Sequence, residues 1–142
     1  MAGGEWLIYS DGASRGNPGP AAIGAVIFDE TGRQVHTVSR RIGHATNNEA
    51  EYQAAIAGLE AALALGARRV ELRMDSELVV RQLGFRYRVR NPRLKRLFDR
   101  VKDLERRFES FRAAAVPRAQ NRQADAQANR ALDQRPGETL PG

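Results

Sequence analysis

The sequence predicts an α/β fold: a five-stranded mixed sheet, three antiparallel strands followed by two parallel ones, flanked by helices. Three observations carry this reading. The first third of the chain holds three strand-like runs joined by short turns, and long Ala- and Leu-rich helical stretches follow. Short apolar runs then alternate with the helices, which requires crossovers and therefore parallel pairing. The order of elements is β-β-β-α-β-α-α-β-α.

The first strand is the apolar run 6–11, which Asp11 ends, and Gly12 through Gly19 read as a glycine-rich turn. Strands follow at 21–29 and 34–42, and Asp29, Gly32 and Arg33 between them suit a hairpin loop. Residues 46–65 form a helix with Tyr52, Ile56, Leu59 and Leu63 on one face. Thr46 and Glu49 make a capping box at its start, and Gly66 marks its end. The run 70–74 is the strand reached by this crossover. A short helix over 76–83 takes its N-cap from Ser76 or from Asp75, so capping competes with any other use of that aspartate. Asn91-Pro92 opens a basic helix reaching to about 108, with Leu94, Leu97, Phe98, Val101 and Leu104 as its apolar stripe. Residues 111–116 read as the last strand, although Ala113, Ala114 and Ala115 have poor strand propensity and could be helical. Pro117 breaks this run, and 121–134 is the final helix.

At 142 residues the chain has one-domain size, read as a single domain over 1–135 and a disordered tail over 136–142. It contains no cysteine, which excludes disulfides and zinc-thiolate sites. No signal-type apolar segment opens it and no run reaches a membrane span, so a soluble, cytoplasmic protein without membrane contact is expected, acting as a monomer. The formal net charge of +6 points to a polyanionic partner. Its weight lies in clustering: Arg81, Arg86, Arg88, Arg90, Arg93, Lys95, Arg96, Arg100 and Lys102 face the single acid Asp99, with Phe85 and Tyr87 interleaved.

Against this basic background four acids stand out. Asp11 and Asp75 end strand-like runs, while Glu51 and Asp125 share helical faces with small apolar residues. Since Glu49 fills the capping role, capping does not explain Glu51, which lies with Ala55, Gly58 and Ala62 on a small-residue stripe suited to close packing on a sheet. Carboxylates gathered from four elements would bind hard divalent ions through oxygen. Without such ions they would repel one another and raise the pKa of at least one member.

Four segments, Tyr9-Ser10-Asp11-Gly12-Ala13-Ser14-Arg15-Gly16-Asn17-Pro18-Gly19, Thr46-Asn47-Asn48-Glu49-Ala50-Glu51-Tyr52, Asp75-Ser76-Glu77-Leu78-Val79 and Asn121-Arg122-Gln123-Ala124-Asp125, resemble in order and spacing the motifs of the type 1 ribonuclease H family, in its short, archaeal-like branch. The resemblance spans about residues 5 to 133. It implies a ribonuclease H-like fold and endonucleolytic cleavage of the RNA strand of an RNA/DNA hybrid with two Mg²⁺ or Mn²⁺ ions. By this analogy Asp11 and Asp75 serve both ions, Glu51 holds one and orients the RNA 2′-hydroxyl, and Asp125 completes the other. Gly12, Ala13, Ser14, Arg15 and Gly16 would bring backbone to the substrate. Asn17, Asn47 and Asn48 would meet bases and backbone in the minor groove, Thr46 a DNA phosphate, and Ser76 the substrate beside Asp75.

The chain also departs from the family pattern. Many members of the family carry a histidine in a flexible loop before the last helix, assisting product release or proton transfer. Here that loop is short and has none, leaving Arg118 as the nearest cation to take part of that role, unable to act as a base. The basic insertion after the helix at Ser76 is missing, with Arg86, Arg88 and Arg90 as an electrostatic substitute. Double-stranded RNA, also A-form, is a conceivable second substrate. Two other readings are a 3′–5′ exonuclease, opposed by Ala13 where a second acid is needed, and a non-catalytic duplex-binding module, opposed by four acids that would repel phosphate.

Overall fold

The computed structural model describes residues 4–134, so the predicted tail at 136–142 lies outside the described residues. The elements are β1 (Trp6–Ser14), β2 (Gly19–Phe28), β3 (Gln34–Ala45), α1 (Asn47–Ala64), β4 (Arg69–Met74), α2 (Glu77–Leu83), α3 (Pro92–Glu105), β5 (Ser110–Ala115) and α4 (Arg122–Asp133), with a single 3₁₀ turn at Arg118–Gln120. The sheet order is β3-β2-β1-β4-β5. β1, β2 and β3 pair antiparallel, while β4 runs parallel to both β1 and β5. The predicted architecture is therefore the observed one.

Two corrections concern the glycine-rich segment and the first helix. β1 does not stop at Asp11 but continues to Ser14, because Gly12, Ala13 and Ser14 keep pairing with Ile23, Ala22 and Ala21 of β2. The turn shrinks to residues 15–18. The second correction is that α1 is buried well beyond one stripe: Ala50, Ala54, Ala55, Ala57, Gly58 and Ala62 are buried as well as Tyr52 and Leu59, whereas Ile56 and Leu63 are only half-buried. Its small residues let the helix lie close on the sheet. At Gly58 an added Cβ would come within 2.7 Å of Ile8 Cγ2.

The main core lies between this face of the sheet and α1 and α3, with Ile8, Ile27, Val70 and Leu72 from the strands meeting Tyr52, Leu59, Phe98, Val101 and Leu104. Tyr52 is fully buried, and its hydroxyl donates to Gln82 Oε1 at 2.6 Å, which ties α1 to α2 and satisfies both groups. α3 ends at Glu105 rather than 108, in a turn that still buries Phe108. Ala113, Ala114 and Ala115 are strand, because pairing with Leu72, Arg73 and Met74 overrides their weak propensity.

On the opposite face α4 packs against β1, β2 and β3, with Ala131 and Leu132 against Ala22. Its C-terminal carbonyls are held from β3: Arg41 donates to Ala131 O at 2.9 Å, to Leu132 O at 2.8 Å and to Gln134 O. A cation there also complements the negative end of the helix.

Candidate active site

The parallel ladder between β1 and β4 ends at Tyr9 and Arg73. Asp11 and Asp75 lie two residues beyond it on each strand, so register alone places them at the same sheet edge. Ser76 is the N-cap of α2, its Oγ accepting from Val79 N at 3.3 Å, which leaves the Asp75 carboxylate free of that duty. The capping box of α1 is likewise complete with Thr46 and Glu49, and it does not involve Glu51.

Two glycines bring the helical acids to this edge. A Cβ on Gly12 would lie 2.2 Å from the Ala50 carbonyl carbon and 2.4 Å from Glu51 N, so α1 rests on bare strand backbone there. In this contact Gly12 N–H donates to Glu51 Oε1. Gly24, paired with Asp11, plays the same part for α4: its Cβ would meet Ala124 O at 2.1 Å. Asp125 follows in the first turn of that helix.

Carboxylate oxygens of Asp11, Glu51 and Asp75 all lie within 4.8 Å of one another. Asp125 stands outside this trio but within hydrogen-bonding reach of Asp11. Asp11 and Glu51 are buried. Desolvation, reinforced by Glu51, Asp125 and Asp75, pushes the Asp11 carboxyl far above the ordinary range. Desolvation also raises Glu51, to about 7, despite the opposing Gly12 N–H and Arg118 charge. Such a set is electrostatically incomplete and, being all oxygen, matches hard divalent cations.

The cluster opens into a cleft of about 520 Å³ lined also by Gly12, Ala13, Ser14, Asn47, Asn48, Ser76, Arg118 and Asn129. Arg118 is the only cation among these lining residues. Thr46 and Asn17 line a neighbouring cleft of about 630 Å³ with Arg93 and Arg96, and Asn48 borders both. Arg15 and Gly16 border neither: Arg15 pairs with Asp133 at 2.5 Å, and Gly16 turns the chain at φ +112°. Asn17 Oδ1 accepts from Asn47 N at 3.0 Å and Asn47 Oδ1 from Ser14 N at 3.1 Å, so both side chains lock the turn onto α1 while their amide groups remain available.

Sequence reasoning missed Asn129, whose Nδ2 donates to Asp125 O at 3.0 Å and to Asp125 Oδ1 at 3.1 Å. The signal was present as an i,i+4 spacing on one helix face. It also gave no role to Gly24, because that role depends on a helix about a hundred residues later in the chain.

Fold and site define a class: a nuclease-type α/β domain whose acids converge where parallel strands diverge. A family model described as reverse transcriptase-like matches residues 9–131. The Halobacterium salinarum ribonuclease HI is 49% identical over 92% of this chain and 66% of its own length, and the RNase H1 structure from that archaeon superposes at TM-score 0.89 with 48% identity, covering 92% of this chain and 98% of that one. The N-terminal RNase H domain of a Mycobacterium tuberculosis protein gives TM-score 0.88 at 43% identity over 91% and 99% of the two chains. LC11-RNase H1, in a structure with an RNA/DNA hybrid, gives 0.85 at 44% over 90% and 96%. The chain belongs to the type 1 ribonuclease H family. It spans about two thirds of the archaeal relative's length and 35% of the mycobacterial bifunctional protein.

Proposed function

We propose that this protein is an endoribonuclease that hydrolyses the RNA strand of RNA/DNA hybrids. The carrying observation is the convergence of Asp11, Glu51, Asp75 and Asp125 from four separate elements on one cleft. Support comes from the family and from a relative solved with such a hybrid. The four acids would hold two Mg²⁺ or Mn²⁺ ions, which would supply water activation and stabilisation of the leaving oxygen. Glu51 meets the RNA 2′-hydroxyl, the group that separates RNA from DNA. Gly12, Ala13 and Ser14 present backbone to the substrate at the cleft wall, and Asn47, Asn48 and Ser76 meet it beside the carboxylates. Asn17 and Thr46 meet the other strand in the neighbouring cleft. Arg118 is a fixed cation for phosphate. Arg15 and Gly16 support the turn from outside either cleft.

The protein acts as a cytoplasmic monomer, and among the described residues no helix is long and apolar enough to cross a membrane. A purely duplex-binding module is not favoured, because its unneutralised acids would oppose phosphate. Cleavage of 5′-labelled RNA in a hybrid, in double-stranded RNA and alone tests the proposal. The hybrid should be cut with Mg²⁺ or Mn²⁺ and spared with EDTA, double-stranded RNA should be cut more slowly, and wild-type binding without cleavage would refute catalysis.

The cations sort into two groups. Lys95, Arg100, Lys102 and Arg106 pair with Asp99, Glu60, Glu105 and Asp103, whereas Arg86, Arg88, Arg90, Arg93 and Arg96 show no ion pair among the described residues and are exposed. Arg93 and Arg96 sit beside Asn17 and Thr46, and so serve the uncut strand. An Arg93→Ala/Arg96→Ala protein should raise KM and reduce the salt slope of hybrid affinity by about 1 to 2. Its kcat should stay unchanged, and an unchanged slope would remove these residues from the binding surface.

A further inference from the structure

We infer that Asn121 is a positioning residue that sets the separation of the site's carboxylates from beneath. The β1–β4 ladder stops at Tyr9 and Arg73. Asn121 is 1% exposed, and its Nδ2 donates at 2.9 Å to the carbonyl of Ser10, the residue just past the last paired position and just before Asp11. A side-chain amide thus takes a strand carbonyl beyond the end of the β1–β4 ladder, at the level where Asp11 follows on β1 and Asp75 just past the end of β4. The same residue leads into the helix that carries Asp125, and Asp125 N donates to Asn121 O at 3.1 Å. One buried side chain therefore links the strand bearing Asp11 to the first turn bearing Asp125.

Stability alone does not account for an asparagine here. Among the described residues its buried Oδ1 finds no hydrogen-bond partner, and neither does the buried Oγ of Ser10. A buried polar atom left unpaired costs on the order of 1–3 kcal/mol, and natural interiors keep few of them. What the residue secures is geometry, because partners that orient metal-binding carboxylates hold them to tolerances that ligand identity alone does not fix.

The inference rests on the proposed function for its kinetic consequence, and its structural part is tested separately. Mn²⁺ binding to substrate-free Asn121→Ala, measured calorimetrically, should weaken about 10- to 100-fold, and kcat on a hybrid should fall in the same range with KM within about twofold. Asn121→Ser, which keeps a hydroxyl donor, should recover part of both losses. In the wild-type protein, NMR titration with Mg²⁺ should shift the Asn121 side-chain amide together with the backbone amides of Asp11 and Asp125. A folded variant with wild-type Mn²⁺ affinity, or a loss confined to KM, would overturn the assignment. So would an Asn121 amide indifferent to Mg²⁺, which decides the matter even if both variants fail to fold. A wild-type protein that binds metal through this site yet cuts no hybrid would instead refute the proposed function and leave the positioning role standing.

Discussion

Asp11→Asn should abolish hybrid cleavage while making the metal-free protein more stable at neutral pH. Loss of activity should exceed the ~100-fold that removal of a supporting partner produces, because Asp11 is the acid that meets all three others. The gain in stability follows from the same electrostatics. Asp11 and Glu51 have folded-state pKa values raised above the ordinary carboxylate values of 3.8 and 4.5, chiefly by burial, with neighbouring carboxylates adding to it. The folded protein therefore binds more protons than the unfolded chain between those values and the raised ones. Linkage fixes the sign: this contribution is fully present below about pH 4 and is lost as pH rises through about 7 for Glu51 and higher for Asp11. An uncharged, nearly isosteric amide at position 11 removes the strongest contributor to this decline.

Melting curves from pH 5 to pH 9 in EDTA check the prediction. The wild-type midpoint should fall more steeply across that range than the Asp11→Asn midpoint, and Mg²⁺ should restore the wild type. At a hundred times its dissociation constant, bound ion contributes about 2.7 kcal/mol. Parallel melting curves for the two proteins would show that the acids are not held in the strained, buried arrangement described, and retained cleavage would exclude Asp11 from the chemistry.

Those acids were legible in sequence for a local reason. Asp11 and Asp75 each close a run of apolar residues, and Glu51 sits among alanines while its neighbour Glu49 explains the cap, so three of the four were anomalous in their own surroundings. Asp125 was the weakest of the four: it shares a face with alanines, but an acid in the first turn of a helix is ordinary, and the resemblance is what strengthened it. What the sequence did not disclose is how the four are brought together. The extension of β1 to Ser14 depends on its partner strand, and the roles of Gly24, Asn121 and Asn129 appear only once α4 lies across the sheet. Arg15 shows another side of the same point: its place in a motif implied substrate contact, and the exposed ion pair it makes with Asp133 could not be read from that motif. Local pattern identified the acids, and non-local packing determines their spacing.

Gly12→Ala should damage stability and catalysis together. The added Cβ would lie 2.2 to 2.4 Å from the Ala50 carbonyl group and Glu51 N. These are backbone atoms inside a helix, so no side-chain rotation relieves the clash and α1 must move off the strand. Overpacking of this kind costs about 1–3 kcal/mol, and a rigid backbone obstacle places it at the upper end. The movement also breaks the hydrogen bond from Gly12 N–H to Glu51 and withdraws that carboxylate from Asp11 and Asp75. A displacement near 1 Å at a reacting centre can cost about 100-fold in rate. Thermal midpoint and kcat should therefore fall together. Gly32→Ala is the control: its φ of +84° imposes backbone strain, but no atom lies within 4 Å of the new methyl, so it should lower the midpoint slightly and leave kcat untouched. Should Gly12→Ala melt and turn over like the wild type, the close seating of α1 on β1 would not be what positions Glu51.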